Sequence, residues 1–138
     1  MPAPLNILLV DDDEVDAMTV KRCIHEFSSG VVLNHVLNGE EALAYLRDAS
    51  RPRPHVILLD MNMPRMNGTE FLAAVKQDAK LKSIPVVVLT TSKSEADRAA
   101  AFGHGIAGYM VKTVGHKQFA HLVRTICEYW TLSEPDPL

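Results

Sequence analysis

His55-Val-Ile-Leu-Leu-Asp-Met-Asn-Met-Pro64 holds a short apolar run, Val56 to Leu59, that stops abruptly at an acid. A strand wetted on one face alternates apolar with polar residues. A run this uniformly apolar fits a strand covered on both faces, as in parallel sheets sandwiched between helices. Leu5-Asn-Ile-Leu-Leu-Val10 and Pro85-Val-Val-Val-Leu-Thr90 share the pattern, and the weaker runs Val31 to Val36 and Ile106 to Val111 bring the expected strands to five.

Between the runs the apolar spacing turns helical. Ala17, Val20, Ile24 and Phe27 fall on one side of a first helix, and Phe119, Leu122, Val123, Ile126 and Trp130 on one side of the last. Asn38 before Glu41 and Ser92 before Glu95 match the pattern in which a side chain caps the free N–H groups of a helix start. Gly68 and the stretch Gly103 to Gly108 are read as flexible turns. The β-α alternation predicts an α/β fold, a doubly wound five-stranded parallel sheet with five helices on both faces and right-handed crossovers.

The 138 residues suit one domain with one core, 1–138, in which 131–138 with its two prolines forms a C-terminal tail. Hydrophobic residues make up 47% and charged residues 22%, an ordinary balance for a globular protein. The net charge of −3 argues against direct nucleic acid binding, which draws on clustered Lys and Arg. The N-terminus lacks the positive leader of a secretion signal, and no apolar stretch approaches the roughly 20 residues of a membrane helix. A cytoplasmic location follows as the expectation, with Cys23 and Cys127 reduced and filling core positions. His116 and His121 lie five apart, a poor spacing for a shared metal on a helix.

In an open parallel sheet, ligands gather beyond the carboxyl ends of the strands. Asp11, Asp12 and Asp13 follow the first strand, Asp60 the third, Thr90 with Thr91 and Ser92 the fourth, and Lys112 the fifth. Crowded carboxylates repel one another unless a cation intervenes. Oxygen ligands alone call for a hard ion, and Mg2+ is the usual one where phosphate oxygens complete the shell. Beside Mg2+ and the Lys112 ammonium, Asp60 could stay ionised and attack phosphorus as a carboxylate nucleophile. Thr90 could donate to a phosphoryl oxygen. The aspartate run alone would also serve as a helix cap; it is the full set, each member at a strand end, that speaks for chemistry.

Leu8-Leu-Val-Asp-Asp12, Ile57-Leu-Leu-Asp-Met-Asn-Met-Pro64 with Gly68, Val88-Leu-Thr90 and Gly108-Tyr-Met-Val-Lys112 resemble the motifs of the two-component response regulator receiver domains. The resemblance covers Leu5 to about Trp130. It implies a flavodoxin-like sheet in the order 2-1-3-4-5 and a phosphoryl group accepted by Asp60 from a phosphohistidine on a sensor histidine kinase. It also implies Mg2+ held by Asp11, Asp12, Asp60 and the backbone carbonyl of Asn62, with Thr90 and Lys112 on the phosphoryl oxygens. Tyr109 matches the switch aromatic that turns inward as Thr90 moves toward the phosphate. Thr113 departs from the family, which usually has a cis proline after the lysine, and leaves open whether the Lys112–Thr113 peptide is cis.

With no effector segment after the receiver, the expected output is a phosphorylation-dependent surface, as in a stand-alone regulator of a phosphorelay. Phe119, Tyr129, Trp130 and Leu132 exceed what one helix face buries. With the Pro85 to Ser92 segment they look similar to the regulators paired with bacterial phytochrome kinases, which implies a homodimer through the C-terminal helices and last strand. An aspartyl-phosphate phosphatase is the enzymatic rival, but such enzymes generally need an acid two residues after the nucleophile, and position 62 is Asn. The chain is therefore read as no enzyme beyond its own phosphoryl transfer and dephosphorylation, the rate of the latter set in part by Asn62 and Ser92. A phosphate-independent binding module on the same scaffold is the other rival.

Overall fold

The computed structural model describes residues 4–27, 30–112 and 116–134, at 116 the backbone alone. Among these residues the order is β1 (Leu5–Val10), α1 (Glu14–Phe27), β2 (Val31–Val36), α2 (Gly39–Arg47), β3 (Val56–Leu59), α3 (Gly68–Gln77), β4 (Val86–Thr90), α4 (Glu95–Gly103), β5 (Gly108–Val111) and α5 (His116–Leu132). The strands form one parallel sheet in the order β2-β1-β3-β4-β5. Val10 sits beside Val36 on one side and Leu59 on the other, so β1 and β3 end level with each other in mid-sheet. That is the point where the strand order reverses, and it opens a crevice at the carboxyl edge.

Alternate side chains of each central strand serve opposite faces. Leu8, Val10, Ile57, Leu59, Val86 and Val88 pack with Phe71, Leu72 and Val75 of α3, with Ala42, Leu43 and Tyr45 of α2, and with Ala101 of α4. Ile7, Leu9, Val56, Leu58, Val87 and Leu89 pack with Val20 and Ile24 of α1 and with Phe119, Val123 and Ile126 of α5. Two apolar layers therefore hold the middle strands, which explains why their sequence lacks polar alternation. Cys23 and Cys127 are free and buried in the second layer. Burial holds both thiols above their ordinary range, Cys127 at about 11.

Local details correct the sequence reading at four points. Ser94, not Ser92, caps α4, accepting from the Asp97 amide at 3.2 Å. Gly68 is no flexible turn but the buried first residue of α3, and a Cβ there would lie 2.7 Å from Met61 Cα. Helix α5 runs through Leu132, so the first two residues of the expected tail are helical. The last strand opens at Gly108 rather than Ile106. Asn38 does cap α2, at 2.9 Å from the Glu41 amide. Among the described residues no helix is long and apolar enough to cross a membrane.

Candidate functional site

The three aspartates after β1 divide their work. Asp13 is the helix cap, its Oδ1 accepting from the amides of Val15 at 2.9 Å and Asp16 at 3.1 Å. Asp12 is exposed at the rim. Asp11 is 1% exposed, and its Oδ1 accepts from the Asp13 amide at 2.9 Å, which aims Oδ2 inward.

Asp60 follows β3 and is 7% exposed. Its backbone N–H donates to the Val10 carbonyl at 2.9 Å, which ties the start of this loop to the end of β1. Oδ1 accepts from the Thr90 hydroxyl at 2.9 Å and from the Asn62 amide at 3.3 Å. Thr90, wholly buried at the end of β4, is thereby turned toward the acid. The loop beyond Asp60 is strained at Arg65, whose φ of 64° is unusual for a residue with a side chain. Its exposed pair with Glu40, at 3.8 Å, adds little.

Lys112 arrives from the end of β5 with its side chain 6% exposed. Its Nζ donates to Asp11 Oδ2 and to Asp16 Oδ2, both at 2.8 Å, and stands 3.8 Å from Asp60 Oδ2. The last distance is an ion pair rather than a hydrogen bond. Burial works against the charged amine, but the bonds to Asp11 and Asp16 outweigh it and hold Lys112 protonated well above the ordinary lysine range. Burial pushes the Asp11 carboxyl up, against the pull of Lys112 and the Asp13 amide.

Carboxylate oxygens of Asp11, Asp12 and Asp60 lie within 4.8 Å of one another. Lys112 is the ammonium facing Asp11, Asp16 and Asp60, and Asp12 adds a fourth acid at the rim, so a divalent cation fits both the donor chemistry and the surplus negative charge. This acid cluster can hold a divalent metal ion.

A further chain of contacts runs from Thr90 to the flank of the sheet. The Ser92 amide donates to Thr90 Oγ1 at 3.3 Å, and the Ser92 hydroxyl to Asp97 Oδ2 at 2.6 Å. Tyr109, half-buried against the first core layer, donates from its hydroxyl to the Ser92 carbonyl at 3.0 Å.

The structure brings Asp11, Asp12, Asp60, Thr90 and Lys112 into one pocket, with Asn62 at its lip. The Lys112–Thr113 peptide lies outside the described residues. Two contributors escaped the sequence reading. Asp16 sits three residues after the Asp13 cap, where an acid reads as part of a capping box. His35, on β2, meets the Asp11 carbonyl through Nε2 at 2.7 Å.

The family described as response regulator receiver domain matches residues 7–124. The probable methanogenesis regulatory protein FilR2 of Methanothrix harundinacea is 35% identical over 92% of this chain and 84% of its own. Response regulator Rcp1 of Synechocystis is 37% identical over 92% of this chain and 89% of its own. The crystal structure of its Mn(2+)-bound form superimposes with a TM-score of 0.84 at 35% identity, covering 98% of this chain and 100% of that one. The phosphorylated cyanobacterial phytochrome response regulator RcpA superimposes with a TM-score of 0.92 at 35% identity, covering 99% and 100%.

Proposed function

The chain belongs to the receiver-domain family of two-component response regulators, and from that premise we propose that Asp60 accepts a phosphoryl group in the presence of Mg2+. The observation that carries this reading is the surroundings of one buried carboxylate: Thr90 on one oxygen at 2.9 Å and the Lys112 ammonium 3.8 Å from the other. In the transfer, an Asp60 oxygen forms the new P–O bond as the P–N bond of a phosphohistidine breaks, and the departing imidazole takes the leaving electron pair. Thr90 donates to Asp60 Oδ1 at 2.9 Å, which leaves its hydroxyl within reach of a phosphoryl oxygen carried on that acid. Lys112 supplies positive charge from the opposite side, in a site dry enough for that charge to count. Asp11 and Asp12, with Asp60 and the Asn62 carbonyl, would hold the cation, whose part is to neutralise charge on the phosphoryl oxygens.

A receiver domain implies a histidine kinase as partner. The similarity to the phytochrome response regulator RcpA supports a phytochrome kinase in that role, and the cytoplasm is the place of action proposed with it. Exposed Tyr129, Leu132 and Phe102 support a homodimer through the C-terminal helices and last strand. Thr90, Ser92 and Tyr109 supply the switch, since a phosphoryl oxygen competing for the Thr90 hydroxyl would be felt at the Tyr109 ring through Ser92. Such a group shifts conformers only by what it binds better in one of them.

The test is intact mass after incubation with acetyl phosphate and Mg2+. One phosphoryl group per chain is expected, lost in Asp60→Asn and on removing Mg2+ with a chelator. A chain that gains no mass, or an Asp60→Asn variant that still gains it, would refute the assignment. Catalytic release of phosphate from esters beyond one equivalent would favour a phosphatase instead.

A further inference from the structure

Lys112 has two anchors of different kinds. Asp11 is shared, because the carboxylate that accepts from Nζ at 2.8 Å also belongs to the acid trio that can take a cation. Asp16 is not shared: it is outside that trio, it enters from the first turn of α1, and it accepts from Nζ at the same 2.8 Å. The two short bonds occupy two of the three ammonium protons, leaving the third for the direction of Asp60 at 3.8 Å.

We infer that Asp16 is a positioning residue, which keeps the Lys112 amine on the α1 side of the pocket so that Asp11 and Asp60 stay available to a cation. This rests on the reading of the site given above. An ammonium and a divalent ion seek the same carboxylate oxygens in a small buried space. When Asp11 turns to a cation, the amine loses one charge-assisted bond and needs another acceptor. With Asp16 present it keeps one at its existing position. Without Asp16 its nearest remaining acids are Asp11 and Asp60, and it becomes a rival for both. Asp16 thus acts through Lys112, a pairing 96 positions apart in the chain and made at the carboxyl edge of the sheet.

The experiment is Mn2+ binding by the full chain, with free ion counted by electron paramagnetic resonance, in a double-mutant cycle. Asp16→Asn keeps the side-chain shape and is expected to weaken Mn2+ binding about tenfold, the scale of one charge-assisted bond. In a Lys112→Ala background the same substitution is expected to weaken it no more than about twofold to threefold, the residue of a lost surface charge. Asp16→Glu, which retains a carboxylate, should recover most of the loss, and an unchanged melting temperature shows that each variant is folded. Equal weakening with and without Lys112, or none, overturns the inference while leaving the cation site standing. Failure of the unaltered chain to bind Mn2+ at millimolar concentration would remove both the site and the inference.

Discussion

The middle of the sheet and its β5–α4 flank are built to different standards. All four residues of β3 are buried, and Phe71, Leu72 and Val75 of α3 are wholly covered against it. On the flank every residue of β5 is half-buried, and α4 contributes only Ala101 to the core among its described residues, leaving Phe102 52% exposed. The difference separates two demands. A carboxylate that must meet phosphorus needs a fixed, dry frame, which close packing on both faces supplies. A surface that must change shape needs segments with few buried contacts, so that displacement costs little. Asp60 stands on the first kind of ground, whereas Ser92, Asp97 and Tyr109 stand on the second.

The largest expected contrast pairs two phenylalanines. Phe71→Ala should lower stability by about 3–5 kcal/mol, the range for emptying a filled aromatic site, whereas Phe102→Ala should stay within about 0.5 kcal/mol. Urea unfolding measures both, and comparable losses would end the distinction between the regions. If Phe71→Ala does not fold, Phe71→Leu should show the same ordering at a smaller loss.

Two glycines give a second contrast. A Cβ on Gly68 would meet Met61 Cα at 2.7 Å and the Asp60 carbonyl oxygen at 3.0 Å, and backbone cannot swing aside as a side-chain tip can. Gly68→Ala should therefore lose about 1–3 kcal/mol by overpacking. A Cβ on Gly108 meets nothing within 4 Å, and Gly108→Ala should be near neutral, within about 0.5 kcal/mol. A neutral Gly68→Ala would mean that the loop carrying Asp60 gives way, contrary to a rigid frame.

The same division governs what could be read from the sequence. Double-faced burial writes itself locally as Val, Ile and Leu in unbroken runs, so β1, β3 and β4 were legible, as was the acid, hydroxyl or amine that ends each central strand or β5. The Asn38 cap was legible because cap and amide are three residues apart. Asp16 was not, because its partner is 96 residues away and its local setting suits a cap equally well. Ser92 was misread for a related reason. Two serines, Ser92 and Ser94, each precede an acid three residues on, and the pattern does not decide between them. The fold does: α4 starts at Glu95, so Ser94 caps it and Ser92 is free to bond Asp97 at 2.6 Å. Gly68 shows the limit from the other direction, since a glycine required by close approach looks like one required by a turn until its neighbours are known.

The smallest expected effect asks most of the comparison. Tyr109→Phe deletes one hydroxyl and its 3.0 Å bond to the Ser92 carbonyl while leaving the ring packed on the core. A neutral hydrogen bond is worth about 0.5–1.5 kcal/mol, and the low end applies here because the Ser92 carbonyl is only part-buried and can turn to water. Global stability should barely change. The local consequence should be larger, because that bond joins β5 directly to the loop leading to α4. Amide hydrogen exchange is expected to quicken several-fold from Ser92 through Gly103 and to stay unchanged at Val56 to Leu59, where opening requires more of the core to come apart. Acceleration by the same factor in β3 would show that flank and centre open as one unit, and a phosphoryl group on Asp60 could then reach α4 only by loosening its own frame.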